Sequence, residues 1–272
     1  MNQIKRPISL CLLLFLFAVS AMGQDSISVA FSVERGHYEQ AISVELSTAL
    51  AGATIKYTTD GSVPSSGVGT TYSGPINLST TGFIRAMAYN ADTATKVLTH
   101  TYLYLDDVIN QPNSISGYPA GNLEFDASLK NDPTYGPQIK DGLLGLPSVS
   151  IVTSGTDLNT VYGSATEVPV SMEIIYPDGS QEDVHENCGM KRAGGSSYNS
   201  VKRNWRLVFR DTYGAGKLRA EIFDKGGEDE HDQIALRPGF HGCINRNEGK
   251  DINDQLLRDL QIYIDEDSVG IH

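Results

Sequence analysis

The sequence predicts two domains, an all-β sandwich over residues 25–105 and a mixed α+β domain over residues 148–272. Short strand-like runs separated by Asp-Gly, Gly-Pro and Thr-Gly pairs indicate the sandwich. Longer alternating strands followed by an amphipathic helix indicate the α+β domain. The 249 residues after Gly23 suit one large domain or two smaller ones, because a domain usually contains about 100–200 residues, and we predict two.

Residues 1–23 are typical of a secretory signal peptide. Lys5 and Arg6 precede an apolar run over residues 8–19, and Ala21 and Gly23 are small residues that suit cleavage. The alternative is a membrane anchor, but this run is shorter than the ~20 apolar residues that a spanning helix needs. We therefore predict a secreted protein, located outside the cell, at its surface or in the periplasm.

The charge of the chain excludes one class of function. Loss of Lys5 and Arg6 with the signal peptide would change the net charge from −12 to −14. An acidic surface repels phosphates, so the sequence argues against binding to nucleic acid. No later apolar run is long enough to span a bilayer, so no membrane span is expected after signal removal.

The cysteines of the sequence are compatible with two states, paired or free. Cys11 lies in the signal peptide, so Cys188 and Cys243 are the cysteines of the mature chain, and they either form a disulfide or are two buried free thiols. A zinc site that adds His185 and His241 is disfavoured, since the ligand spacing matches structural zinc sites poorly.

The first domain contains strand-like runs that end in turn residues. Residues 54–58 alternate polar and apolar side chains, and Asp60-Gly61 then favours a turn. Tyr57 and Ile84 are expected in the core. The predicted strands cover residues 26–33, 41–46, 54–58, 83–89 and 96–104.

Four motifs in this domain carry a resemblance: YTTDGS at 57–62, YSGPI at 72–76, IRA at 84–86 and TY at 101–102. Their order resembles the chitobiase/β-hexosaminidase C-terminal domain family. The resemblance implies an immunoglobulin-like sandwich that acts as an accessory domain without catalytic residues, with carbohydrate as a possible ligand. We interpret Asp60 as a turn former and Tyr72 as a packing residue rather than as sugar contacts.

Residues 106–147 are predicted to be a connector that proline interrupts repeatedly. One short helix is expected over residues 137–144, with Ile139, Leu143 and Leu144 on one face.

The second domain alternates between strands and turns before its helix. Asn253 is expected to cap that helix, and strand positions such as Trp205, Leu207 and Phe209 are expected to share one face. The predicted strands cover residues 148–153, 168–176, 188–193, 202–210 and 234–237.

A glycine-serine stretch with a nearby cation separates two of these strands: Gly194, Gly195, Ser196, Ser197 and Lys202. A glycine-rich loop between antiparallel strands can cover nucleotide phosphates with its main-chain N–H groups. The stretch does not match a Walker A motif. From the residues alone a hairpin turn is favoured, because glycine and serine are common in turns.

A second resemblance favours the phosphate loop. The segments LPSVSIVT, VPVSMEIIYPDGS, GMKRAGGSSYNSVKRNWRLVFRDTYGAGKL and DQIALRPG, in this order, resemble the spore-coat-protein-H (CotH) kinase-like family. The resemblance implies an atypical protein kinase that uses ATP and Mg²⁺ to phosphorylate proteins outside the cytoplasm. Lys202 would contact the phosphates, and the backbone of Gly194, Gly195, Ser196 and Ser197 would cover them. Tyr198 departs from the family, which commonly has arginine there.

The resemblance also implies an incomplete domain. The family places its metal-binding and catalytic acids after the helix with which this chain ends, and the acids within residues 224–232 have the character of a solvated loop. We therefore expect an amino-terminal part of a kinase-like protein that is inactive by itself, with no catalytic or metal-binding residue assigned. The alternative is a non-catalytic surface, matrix or carbohydrate-associated binding protein.

Overall fold

The structure is a computed structural model and describes residues 27–114, 124–177, 179, 181–194, 203–222 and 228–236. The predicted signal peptide and the helix expected from Asn253 lie outside these residues. Within the described ranges, no helix is long and apolar enough to cross a bilayer.

The first domain is a β-sandwich. One layer is a sheet with the strand order β2-β9-β8-β5-β6, and the pairs β1-β4 and β3-β7 lie against it. The strands are β1 (Val29–Phe31), β2 (Gly36–His37), β3 (Ile42–Val44), β4 (Leu46–Thr48), β5 (Thr54–Thr58), β6 (Thr70–Thr71), β7 (Ile76–Leu78), β8 (Gly82–Tyr89) and β9 (Leu98–Leu103). The predicted strand 54–58 is confirmed residue for residue, whereas the very short β2, β4, β6 and β7 were not predicted as separate strands.

The sandwich core lies between these layers. Ile84 of β8 and Tyr102 of β9 are both fully buried, and Tyr57 packs against the core while it remains partly exposed. β8 and β9 are also buried on their other face, where Arg85 and Thr101 lie. A strand buried on both faces has a second layer above it, and here that layer is the second domain.

Short helices form the described part of the connector. They are α1 (Leu105–Ile109), α2 (Ala127–Lys130), a 3₁₀ turn (Gly136–Gln138) and α3 (Ile139–Leu144). The helix expected over residues 137–144 is confirmed by the last two. Asp126 accepts a hydrogen bond from the Ser128 N–H and so caps α2. Lys140 bonds Asp106 at 2.8 Å, which joins α3 to α1.

The second domain is built on an antiparallel sheet with the order β10-β11-β12-β13-β16. Its elements are β10 (Ser148–Val152), α4 (Gly155–Gly163), β11 (Val168–Ile175), β12 (Val184–Ala193), β13 (Asn204–Val208), β14 (Leu218–Arg219), β15 (Glu230–His231) and β16 (Gln233–Leu236). The five predicted strands are all present with shifted ends. Helix α4 was not predicted, because its sequence has a weak apolar stripe and only Val161 on it is buried.

The two faces of this sheet differ in chemistry. The apolar face presents Met172, Leu207 and Phe209 to the core under α4, and Trp205 packs beside them. This confirms the prediction that Leu207 and Phe209 share a face. We call the opposite side the polar face. It carries Ser148, Ser150, Ser171, Glu173, His185 and Asn187.

Cys188 is a buried free cysteine on the apolar face, and burial raises the pKa of its thiol to about 12. His185 lies on the polar face, where it contacts Thr99 of the sandwich. The two side chains therefore point to opposite sides of β12 and do not bind one zinc ion together. Cys243 and His241 lie outside the described residues.

Candidate functional sites

The glycine-serine stretch begins where β12 ends. β12 and β13 are antiparallel neighbours, with Ala193 opposite Asn204. Gly194 follows β12 directly and has a φ of +88°, a conformation that glycine adopts without steric cost. Gly195, Ser196, Ser197 and Lys202 lie outside the described residues. The flanking strands are thus antiparallel, as the sequence predicted.

Two arginines at the base of this stretch bind the end of α4. Arg192 Nε donates to the Ser164 carbonyl at 2.9 Å, and Arg203 Nη1 donates to the Tyr162 carbonyl. The Arg203 guanidinium also lies 4.6 Å from the centroid of the Tyr162 ring, and that ring meets Trp205 edge-on at 5.1 Å. Cations suit the carboxyl end of a helix, so these arginines fix the β12–β13 pair against α4.

Three other cations form what we call the basic strip, on the polar side of β12 and β13: Lys191, Arg206 and Arg210. Glu167 pairs with Arg210 at 2.9 Å and with Lys191 at 3.8 Å, and the hydrogen bond from Arg210 lowers the pKa of this carboxyl. Arg206 stands directly opposite Lys191 in the sheet register and is exposed. Among the described residues Arg206 has no ion-pair partner. Like charges directly opposite each other destabilise a strand pair, and a bound anion would offset that repulsion.

The acids within residues 224–232 do not form a metal site in the described part of the chain. Glu230 bonds Arg219 at 2.9 Å and Lys217 at 3.3 Å. Glu228, Asp229 and Asp232 are exposed. Among the described residues no group of three His, Cys, Asp or Glu side chains could hold a metal ion. The exposure of Glu228, Asp229 and Asp232 agrees with their interpretation as a solvated surface, and Asp224 lies outside the described residues.

The polar face binds one edge of the sandwich, in a contact that we call the joint. β2 pairs only with Tyr102 and Leu103 of β9, so among the described strands the earlier part of β9 has a free edge. Side chains of the second sheet occupy that edge. Asn187 Nδ2 donates to the Val97 carbonyl at 2.8 Å, and the Thr99 N–H donates to His185 Nε2 at 3.3 Å. The joint thereby satisfies backbone groups of an exposed strand edge.

Glu173 is the centre of the joint. It is fully buried, its Oε1 accepts from the Thr101 N–H at 3.2 Å, and its Oε2 accepts from the Thr101 hydroxyl. Arg35 of the sandwich lies 3.3 Å from the same carboxylate, and Ser150 Oγ lies 2.8 Å from the Thr101 hydroxyl. A buried charge such as that of Glu173 is tolerated when it is paired and hydrogen-bonded in this way.

His37 Nε2 and Ser148 Oγ, 3.1 Å apart, make a further contact of the joint.

Burial shifts the pKa values of three ionisable side chains in the joint. Desolvation raises the pKa of Glu173 to about 7, although Arg35 and the Thr101 bonds oppose the shift. Desolvation, helped by the charges of Arg35, His100 and Arg85, lowers the pKa of His185 to about 3. Burial also lowers the pKa of His37, against the pull of Asp183. Both histidines are therefore neutral at physiological pH.

The Asp60-Gly61 turn makes a second contact between the domains. Asp60 accepts from the Ser62 N–H at 3.0 Å, so the interpretation of Asp60 as a turn former is confirmed. Gly61 has a φ of +83°, and a Cβ at this position would lie 1.9 Å from the Thr153 carbonyl oxygen. Buried Arg85 donates to the Gly61 carbonyl at 2.6 Å. Glycine is needed here both for the turn and for the close approach of the second domain.

Tyr72 packs against the sandwich core, with its ring 6.5 Å from that of Tyr57. This placement confirms its interpretation as a packing residue. A separate surface groove of 510 Å³ runs between Glu182, Glu186, Lys217 and Arg219, and its described lining contains no tryptophan, tyrosine or phenylalanine ring on which a sugar would stack.

The comparisons with known proteins concern the sandwich. Residues 33–99 match the family model of the chitobiase/beta-hexosaminidase C-terminal domain, which confirms the resemblance of the first domain. The matched residues lie within the sandwich and include none of the second sheet. A search of curated proteins found no match to the chain.

Proposed function

We propose that the chain belongs to an exported, CotH-type kinase-like protein, in which the second domain binds ATP and the sandwich is an accessory module. The phosphates would lie against Gly194, Gly195, Ser196, Ser197 and Lys202. The observation that supports this proposal best is the basic strip, because it places a like-charged pair, Lys191 and Arg206, beside that stretch on one side of the sheet.

The local geometry suits an anion. Gly194 leaves β12 in a left-handed conformation, and Lys202 precedes β13 by two residues. Arg192 and Arg203 are engaged by carbonyls of α4 and do not enter the proposal. Arg206 is exposed and supplies a planar guanidinium, a group that binds phosphate well. Protein kinases likewise combine a glycine-rich loop with a lysine on a nearby strand.

Gly194 and Arg206, which the structure describes, support the proposed phosphate contact, whereas no described residue is proposed as a ligand of the metal. In kinases Mg²⁺ bridges the phosphates and neutralises charge that develops on them, and it needs oxygen ligands from acidic side chains. Among the described residues there is no group of three His, Cys, Asp or Glu side chains that could hold a metal ion. The proposal for this chain is therefore limited to nucleotide binding, because the family resemblance assigns none of its residues to the metal or to the catalytic acids.

Calorimetric titration of ATP into the full chain tests the proposal. We expect Lys202→Ala and Arg206→Ala each to weaken binding by about tenfold, which corresponds to ~1.4 kcal/mol. Lys96→Ala is the matched control, because Lys96 is an exposed lysine of the sandwich. Absence of ATP binding by the unaltered chain, or equal affinity of Lys202→Ala and the control, would refute the proposal.

The family match favours a second candidate, a non-catalytic carbohydrate-associated binding protein. In this case the sandwich carries the function and the second domain is structural. Retention of the chain on insoluble chitin, with competition by soluble chitobiose and no response to ATP, is the expected result. Failure to bind either probe would remove chitin-type sugars as the ligand.

A further inference from the structure

Both proposals leave the joint between the domains without a role beyond packing. The charged and titratable groups around it come from both domains: Arg35, His37, Arg85, His100 and Tyr102 from the sandwich, and Glu173, Asp183 and His185 from the second domain. Burying such groups is expensive unless they are paired, so the joint depends on the protonation state of its members.

The hydrogen bond between Thr99 and His185 requires one protonation state. The Thr99 backbone N–H can only donate, so His185 Nε2 must accept and cannot carry a proton. Ser171 Oγ lies 3.1 Å from the same nitrogen. A proton added at Nε2 would face the Thr99 N–H, and the new positive charge would lie near Arg35 and Arg85.

We propose that the joint is a pH-sensitive contact that opens in acid, when protonation of His185 removes the acceptor for the Thr99 N–H. The sandwich would then separate from the polar face while each domain keeps its own apolar core. The proton that drives opening binds at His185 Nε2, and the released partner is the backbone N–H at the free edge of β9.

His185 and Glu173 act in opposite directions. The docked state lowers the pKa of His185 from 6.5 to about 3, so its stabilisation is complete above pH 6.5 and is lost as the pH falls towards 3. The docked state raises the pKa of Glu173 from 4.5 to about 7, so its stabilisation is complete below pH 4.5 and is lost as the pH rises through 7.

These opposing effects define the pH at which opening begins. Between pH 6.5 and 4.5 docking releases a proton from His185 and takes one up at Glu173, so the two largely cancel. Below pH 4.5 Glu173 is protonated in both states, and His185 acts unopposed. One proton changes the docking equilibrium tenfold per pH unit, which gives about a 30-fold loss between pH 4.5 and 3. His37 adds a smaller loss that begins at pH 6.5, because docking lowers its pKa from the same starting value.

His100 needs separate treatment. Burial lowers its pKa to about 3, and its ring stacks on Phe31 at 4.0 Å within the sandwich. Protonation of His100 would therefore destabilise the sandwich itself rather than the joint. An experiment must distinguish separation of the domains from unfolding of the sandwich.

Amide hydrogen exchange of the full chain, corrected for the intrinsic rate at each pH, makes this distinction. The Thr99 and Thr101 N–H groups report the joint, because they donate to His185 and Glu173. The Ile84 N–H reports the sandwich core, since Ile84 is fully buried there. We expect protection at Thr99 and Thr101 to fall about 30-fold between pH 4.5 and 3 while protection at Ile84 stays higher.

Two variants sharpen the test. In His185→Gln the amide oxygen accepts from Thr99 at every pH, so most of the acid-induced loss should disappear. In Glu173→Gln no proton is taken up at position 173, so the loss should begin near pH 6.5, about two pH units earlier. Circular dichroism at neutral pH checks that each variant folds, and either folded variant is sufficient.

Three results would overturn the proposal. Constant protection of the unaltered chain from pH 4.5 to 3 is the first. The second is simultaneous loss of protection at Thr99 and Ile84, which would indicate unfolding of the sandwich. The third is an unchanged pH profile in a folded His185→Gln or Glu173→Gln variant.

Discussion

The two faces of the second sheet are equally well buried at their centres but by different chemistry. On β11, Met172 faces the apolar core under α4, whereas its neighbours Ser171 and Glu173 face the sandwich, and all three are almost fully buried. The apolar face is stabilised by removal of hydrocarbon from water and is insensitive to pH. The polar face depends on specific hydrogen bonds and one ion pair, so it responds to single protons.

This difference shows that the alternation of polar and apolar residues along a strand does not by itself identify the face of the sheet that is in contact with water. Polar residues at alternate positions of a strand, such as Ser171 and Glu173 of β11, normally indicate a face in water. Here that face is covered by a neighbouring domain whose strand edge needs donors and acceptors. The alternate polar residues of β11 therefore mark a surface on which the sandwich docks.

The largest expected effect is at the centre of the polar face. Glu173→Ala leaves Arg35 and the Thr101 N–H and hydroxyl without their partner, and loss of one member of a buried ion pair typically costs about 3–5 kcal/mol. Glu173→Gln keeps an acceptor for Thr101 and should cost clearly less. Urea unfolding at neutral pH measures both variants. A loss below about 1 kcal/mol for Glu173→Ala would contradict a central role for the joint.

The apolar face should be nearly as sensitive to truncation. Leu207 is fully buried, and Leu→Ala at such a position costs about 2–5 kcal/mol. The preceding residue, Arg206, is exposed on the opposite side, and the effect of its change to alanine on stability should stay within about 0.5 kcal/mol. Thermal unfolding of the two variants side by side checks the assignment of the faces. Equal losses would mean that the faces are assigned wrongly.

A smaller effect separates the joint from ordinary turn geometry. Gly61 and Gly52 both have positive φ, but a Cβ on Gly52 would meet no atom within 4 Å, whereas one on Gly61 would meet Thr153. Gly52→Ala therefore measures backbone strain alone. We expect Gly61→Ala to lose an additional ~1–3 kcal/mol, the usual cost of overpacking. No difference between the variants would show that the turn does not contact the second domain.

Much of each domain's interior was predictable from the sequence. The alternating residues of β5 and β11 located strands, and the YTTDGS motif located a turn whose Asp60 behaves as expected. The order of the four motifs predicted the resemblance of the first domain to the chitobiase/beta-hexosaminidase C-terminal domain, and the match of residues 33–99 to that family model confirmed it. These features depend on local pattern, which a sequence displays directly.

The joint was not predictable in the same way. The sequence predicts His185 only as a disfavoured zinc ligand and predicts no role for Glu173, because which surfaces meet depends on the relative placement of two domains. The phosphate-binding residues Gly195, Ser196, Ser197 and Lys202 lie outside the described residues and stay predictions.

An engineered disulfide across the joint tests most directly whether the sandwich docks on the polar face. Thr101 Oγ1 and Ser150 Oγ lie 2.8 Å apart, so cysteines at both positions would bring their sulfur atoms within bonding reach. In a Cys243→Ser background, we predict that Thr101→Cys with Ser150→Cys oxidises completely in air. Mass spectrometry should then show the loss of two hydrogen atoms and no free thiol at either position. Thr101→Cys paired with Ser43→Cys, an exposed residue of the sandwich, should stay reduced. If the Thr101–Ser150 pair also stays reduced and is alkylated as readily as this control, the two domains do not dock as described.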